Sequence, residues 1–144
     1  MPKPSPFTRQ TSTTIFSTGA CDASTEVVQG LSVVRVSGEL SAASLGPCRR
    51  ALDTALRLRP NAVLLDLHGV GAVGSVVPVL GLLRRYVARR GSAFCLVAPP
   101  AEVTRALATA GVADVYRVVP SIVEAVQTFS SPGPFPRQRA MGAG

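Results

Sequence analysis

The stretch Gly69-Val-Gly71-Ala-Val-Gly74-Ser75 gathers most of the residue types in this 144-residue chain that could do chemistry. Gly69, Gly71 and Gly74 are spaced as G-x-G-x-x-G. Between a strand and a helix, that pattern lets bare backbone and a helix N-terminus cradle a pyrophosphate. The following apolar stretch ends Val97-Ala98-Pro99-Pro100, with no Asp or Glu to take a ribose hydroxyl. A tight turn is the simpler account of the glycines, and nucleotide binding at Gly69, Gly71 and Gly74 is the alternative. Ser75 lacks the second glycine of the G-x-S-x-G nucleophile elbow. The single histidine, His68, follows Asp66 and reads as a surface or partner-facing side chain. One histidine and scattered acids offer no metal cluster. Cys21, Cys48 and Cys95 form an odd set without a C-x-x-C pair, so neither a disulfide framework nor a zinc site is legible. The expectation is no enzyme, no metal and no cofactor. Ser75 keeps two readings: a helix N-cap worth about 1 kcal/mol, or a phosphoacceptor whose phosphate would face free N–H groups and the helix dipole.

Positioning these residues requires an alternation of strands and helices. Leu31–Ser37 is alternating and β-branched, and pairs with Thr25–Val28 across Gln29-Gly30. Residues 42–58 read as a helix, with Leu45, Cys48, Leu52, Ala55 and Leu56 on one stripe and Arg49, Arg50, Asp53 and Arg57 on the other. Asn61–Leu67 and Ala93–Val97 are nearly continuous apolar runs, as in buried strands. Ser75–Arg90 is the second helix, with Pro78 in its first turn. Pro100–Ala110 is a third helix, stopped by Gly111, and a short strand is predicted near Val115–Val118. Ser121–Phe129 closes the order as a helix opened by the capping box Ser121-x-x-Glu124. This order predicts an α/β domain with a mixed, mostly parallel sheet of four to five strands and about four helices.

Composition bounds the class. An apolar fraction of 47% belongs to a globular chain, and 144 residues suit one domain with margins. Six of the 12 prolines sit in residues 1–20 and 130–144, which predicts two flexible tails around one domain at 22–129. Aromatic content of 5% without Trp argues against a base-stacking platform. The first 20 residues lack a signal-peptide run, and no stretch reaches the roughly 18 to 20 apolar residues of a membrane span. A cytoplasmic protein with neither membrane nor nucleic acid as partner is expected. Net charge is +7, and Lys3, Arg9, Arg137 and Arg139 place four of those units in the tails. Arg84-Arg85 and Arg89-Arg90 concentrate basic charge on the helix led by Ser75. There they suit the helix dipole or an acidic patch on a partner.

Several of these segments together resemble one family. Gly38-Glu39-Leu40 follows a strand, Asp66-Leu67 sits in the next, and Ser75 precedes a helix; Gly91, Val97-Ala98-Pro99 and Gly111-Val112 come after. From about Val27 to Val126 the chain is similar to the STAS domain of anti-sigma factor antagonists. That resemblance implies a non-enzymatic regulator whose partner is an anti-sigma factor of the ATPase-kinase type. It also implies a serine, here Ser75, that the kinase phosphorylates to break the complex. The implied contact surface comprises Ser41, Gly74, Ser75, Val76, Val77 and Pro78. Two family acids are absent: Ser41 stands where the family has Asp after G-E-L, and Gly74 replaces the Asp before the serine. Either a phosphate at Ser75 meets less repulsion, or a kinase that docks on those acids fails. In the second case Val73, Val76 and Val77 would form a fixed apolar surface unless they pack inward. A nucleotide or small-ligand sensor and a non-switching scaffold or homo-oligomer remain as alternatives.

Overall fold

A computed structural model describes residues 14–17 and 19–130. Six strands and four α-helices follow in the order β1 (Thr14–Ser17), β2 (Cys21–Val28), β3 (Leu31–Leu40), α1 (Leu45–Leu56), β4 (Ala62–Val73), α2 (Val76–Arg89), β5 (Ala93–Val97), α3 (Ala101–Thr109), β6 (Arg117–Val119) and α4 (Ile122–Ser130). The strands lie side by side in chain order, β1 to β6. The β1–β2 and β2–β3 pairs are antiparallel, and every later pair is parallel. Parallel neighbours need crossovers, which α1, α2 and α3 supply. Gln29 (φ 54°) and Gly30 (φ 79°) turn the β2–β3 hairpin; two left-handed residues match the twist of the flanking strands.

Alternation along the sheet splits the apolar residues into two cores. Val34, Val36, Val63, Leu65, Leu67 and Leu96 face α1, α2 and α3. Leu31, Val33, Ala62, Leu64, Cys95 and Val97 face the other way, toward Ala125 of α4. The first core is the larger and includes Cys48, Leu52, Leu80, Leu83, Val103 and Leu107, all at most 2% exposed. Each such Leu or Val contributes about 1.5–3 kcal/mol by leaving water. On the α4 side the period of two continues along β4 past Leu64 to Asp66 and His68, so this face turns polar where α4 no longer covers it. There Arg35 of β3 lies opposite Asp66 in register and pairs with it through Nε at 3.2 Å, and also pairs with Glu26.

Four sequence expectations change. The sheet has six strands rather than four to five, because β1 lies inside the segment 1–20 expected to be a tail. It is a four-residue edge strand held by its pairing with β2. Residues 1–13, 18 and 131–144, the remainder of the expected tails, lie outside the described residues. The helix expected over residues 42–58 begins as a 3-10 turn at Ala42–Ser44 before α1. The last strand falls at Arg117–Val119, after a 3-10 turn at Ala113–Val115. Finally, β4 does not stop at Leu67 but runs six residues further, to Val73.

Candidate functional site

The β4 extension overturns the tight turn expected across Gly69–Gly74, and with it the alternative phosphate cradle. Gly69 and Gly71 lie within an extended strand, and only Gly74 belongs to the turn before α2. Their roles differ. A Cβ on Gly69 would sit 3.0 Å from Ser37 Cβ, and one on Gly74 would sit 2.8 Å from Ser41 Cβ, while Gly71 faces open space. Gly69 and Gly74 therefore permit close approach of β3 and of the loop after it. The helix-opening turn that a bound pyrophosphate needs is absent from Gly69–Gly71.

What the topology assembles instead is a ledge at the C-terminal ends of β3 and β4. Glu39 pairs in register with Ala72, and Leu40 with Val73. The Gly74 amide then donates to the Leu40 carbonyl at 2.8 Å, clipping the two strand ends together. On the β3 side, Ser41 caps the 3-10 turn: its Oγ accepts from the Ala43 amide at 3.3 Å, and Ser44 Oγ accepts from the Ser41 amide at 2.9 Å. Ser44 Oγ also donates to the Glu39 carbonyl. Ser41 is thereby consumed internally and only 8% exposed. It shapes the ledge without presenting its hydroxyl.

Ser75 occupies the N-cap position of α2 and is exposed, yet its hydroxyl makes no capping hydrogen bond. Backbone and sequence both contribute: Ser75 sits at φ −76°, ψ 68°, outside the extended region usual for a capping residue. An N-cap side chain accepts from the second or third helical amide, and the third helical residue here is Pro78, which has none. The Val76 amide is already bonded to the Gly74 carbonyl at 2.7 Å. The N-cap reading of Ser75 is thus correct in position but not in hydrogen bonding. Its hydroxyl is left to solvent at the start of a helix whose first turn contains no acid.

The apolar surface expected from Val73, Val76 and Val77 is not formed. Val76 is 2% exposed, and Val73 and Val77 are half-buried against the larger core. The helical period places the first residue of α2 inward with Val79, Leu80 and Leu83. The exposed parts of the ledge are Ala42, Ala43, Ala72, Gly74, Ser75 and Pro78. Alanines carry no chemical signal in a sequence, so Ala42, Ala43 and Ala72 were not legible as site residues. Only the β3–β4 register brings them beside Ser75.

His68 and Ser75 are not brought together. They are separated by the outer part of β4, and at about 3.3 Å per residue that is on the order of 20 Å. The His68 amide donates to Asp66 Oδ1 at 3.0 Å, and the other carboxylate oxygen takes Arg35. Among the described residues no group of three or more His, Cys, Asp or Glu side chains could hold a metal ion. No helix among them is long and apolar enough to cross a membrane.

Comparison with known proteins agrees with this architecture. An anti-sigma factor antagonist from Mycobacterium paratuberculosis superposes with a TM-score of 0.61 at 20% identity, over 90% of this chain and 100% of that one. A putative anti-sigma factor antagonist from Thermotoga maritima gives a TM-score of 0.61 at 19% identity, over 74% and 92%. The murine solute carrier 26 family member A9 anion transporter carries a similar unit, with a TM-score of 0.59 at 23% identity; the match covers 69% of this chain but 17% of the transporter. At these identities the likeness is one of fold. No curated protein matches the sequence. The sequence pattern of the STAS domain family, however, matches residues 22–125, spanning β2 into α4. With the ordered strands and the ledge at Ser75, that match assigns the chain to the STAS domain family.

Proposed function

We propose that this protein is a non-enzymatic regulator that binds an anti-sigma factor of the ATPase-kinase type. The binding surface is the ledge formed by Ala42, Ala43, Ala72, Gly74, Ser75 and Pro78. The observation that carries this reading is the Ser75 hydroxyl, exposed at the head of α2 and making no capping hydrogen bond. The anti-sigma factor antagonists among the structural neighbours support the partner class. The exposed ledge residues Ala42, Ala43, Ala72, Gly74, Ser75 and Pro78 carry no charge, and half-buried Glu39 beside Ala72 is the one acid of the ledge, so a charge added at Ser75 has a large relative effect. A phosphate on Ser75 would bring about −1.5 to −2 units of charge to it. The complex forms with the bare hydroxyl and is weakened by a charge at the same position.

Calorimetric titration against the anti-sigma kinases of the source genome tests this. Ser75→Ala should bind as the native protein does, and Ser75→Glu should bind at least about tenfold more weakly, a loss of about 1.4 kcal/mol. Silence across all the kinases would remove the proposed partner. Equal binding by Ser75→Glu would place the interface elsewhere.

A further inference from the structure

Away from Ser75, α1 and the C-terminal half of α2 form a face of concentrated positive charge. Arg49, Arg50, Arg57, Arg85, Arg89 and Arg90 are all exposed there, against one acid, Asp53. That is a net +5, whereas the remaining five basic and seven acidic residues of 14–130 sum to −2. Repulsion among six arginines is unfavourable to the fold, so their grouping has to be offset or used.

Part of the face is braced. Tyr86 Oη donates to Asp53 Oδ1 at 3.0 Å, and Arg57 and Arg90 pair with the same carboxylate at 3.2 and 3.4 Å. The guanidinium groups of Arg49 and Arg90 lie 5.2 and 5.0 Å from the Tyr86 ring centroid. Asp53 and Tyr86 thus hold Arg49, Arg57 and Arg90 in place while neutralising little of their charge. Among the described residues no carboxylate forms an ion pair with Arg49, Arg50, Arg85 or Arg89. Between α1 and α2 lies a groove of about 250 Å³ lined by Leu45, Arg49, Leu82, Arg85, Tyr86 and Arg89. Leu82 is 46% exposed, a large apolar side chain among arginines.

We infer that this face docks an acidic polypeptide segment that also carries apolar side chains. Arginine forks suit carboxylates in paired hydrogen bonds, and Arg and Tyr around an apolar centre are the composition of protein-binding hot spots. Two features favour a peptide over a nucleic acid. Asp53 sits in the middle of the face and would repel a continuous phosphate backbone. Leu45 and Leu82 offer contacts that phosphates cannot use. The α2 residues of the groove, Leu82 to Arg89, lie about 10 to 20 Å from Ser75 along the helix axis, and the inference stands whether or not the Ser75 ledge binds an anti-sigma factor.

Fluorescence anisotropy with the full chain decides it. The probe is a fluorescein-labelled peptide of Glu-Glu-Leu repeats; a Lys-Lys-Leu peptide and a duplex DNA oligonucleotide of similar length are the comparisons. The acidic peptide should bind, and the Arg49→Ala/Arg85→Ala/Arg89→Ala protein should bind it at least about tenfold more weakly. Arg85→Glu/Arg89→Glu, which leaves the Tyr86 contacts intact, should abolish binding even if the triple variant folds poorly. Arg59→Ala/Arg105→Ala should bind like the native chain. No binding of the acidic peptide, equal binding by both face variants, or tighter binding of DNA lost in those same variants would each overturn the inference.

Discussion

Cys48 lies fully buried between α1 and the sheet, and burial pushes its thiol up to about 12, with Cys21 beside it adding to the rise. Burial likewise pushes Cys95 up to about 11, against a smaller opposing effect of Arg117. A thiol is neutral when protonated, so the folded chain holds these protons to higher pH than the unfolded chain, whose thiols titrate near 9.0. The resulting stability is complete below that value and is lost as pH rises toward 11 and 12, because the unfolded state then binds fewer protons. We expect urea-derived stability to fall above about pH 9 by up to about 1.4 kcal/mol per pH unit for each thiol. Cys48→Ala should show a shallower fall over the same window, and an unchanged slope would exclude the thiol as the cause. Ser75 presents the opposite situation at the same scale, an exposed hydroxyl without internal work, and the Ser75→Glu titration belongs beside the thiol test as a probe of one atom.

Among the helices, α4 has a role the others do not share. The larger core is covered by α1, α2 and α3 together, but the second core, around Val33, Leu64 and Cys95, is covered by α4 through Ala125, Ile122, Val126 and Phe129. Ser121 Oγ accepts from the Glu124 amide at 3.2 Å, the start that the Ser121-x-x-Glu124 spacing predicts. Ala125→Glu would bury a carboxylate with no partner against the sheet. It should destabilise the protein by about 3 kcal/mol or more and deprotect β5 and β6 amides in hydrogen exchange; protection equal to the native would mean α4 is dispensable. The sequence made α4, the β2–β3 hairpin and β5 legible because period and turn chemistry agree there: Ala93–Val97 is the same in both readings. It misled at β4, where Gly69 and Gly71 read as a turn although Gly69 is small because Ser37 crowds it. It also misled at β1, read as part of a flexible tail, since Thr-Ile-Phe-Ser becomes a strand only through β2. At the site it marked Ser75 but took the buried Ser41 and Val76 for surface, because the sequence shows neither the capping box nor the inward turn of α2.

At the scale of the molecule the two cores are inseparable, since β3, β4 and β5 contribute alternate side chains to both. Neither can lose its packing without exposing the other side of the same strands. Unfolding in urea should be one transition: the tyrosine signal of Tyr116, packed edge-on to Phe94 in the larger core, should coincide with loss of helical circular dichroism. Separated midpoints would show that α4 and its core melt on their own. The same sheet determines how rigid the proposed binding ledge at Ser75 is. The Gly74 clip to Leu40, the contact of Gly74 with Ser41 and the internal capping of Ser41 leave the ledge few ways to rearrange. Association there requires little ordering of loops, which is a large part of the entropy that docking otherwise loses. For the proposed partner, recognition at this ledge would therefore be a matter of rigid fit: encounters would succeed or fail on shape and charge at first contact, and residence time would be governed by how well the partner's own surface conforms.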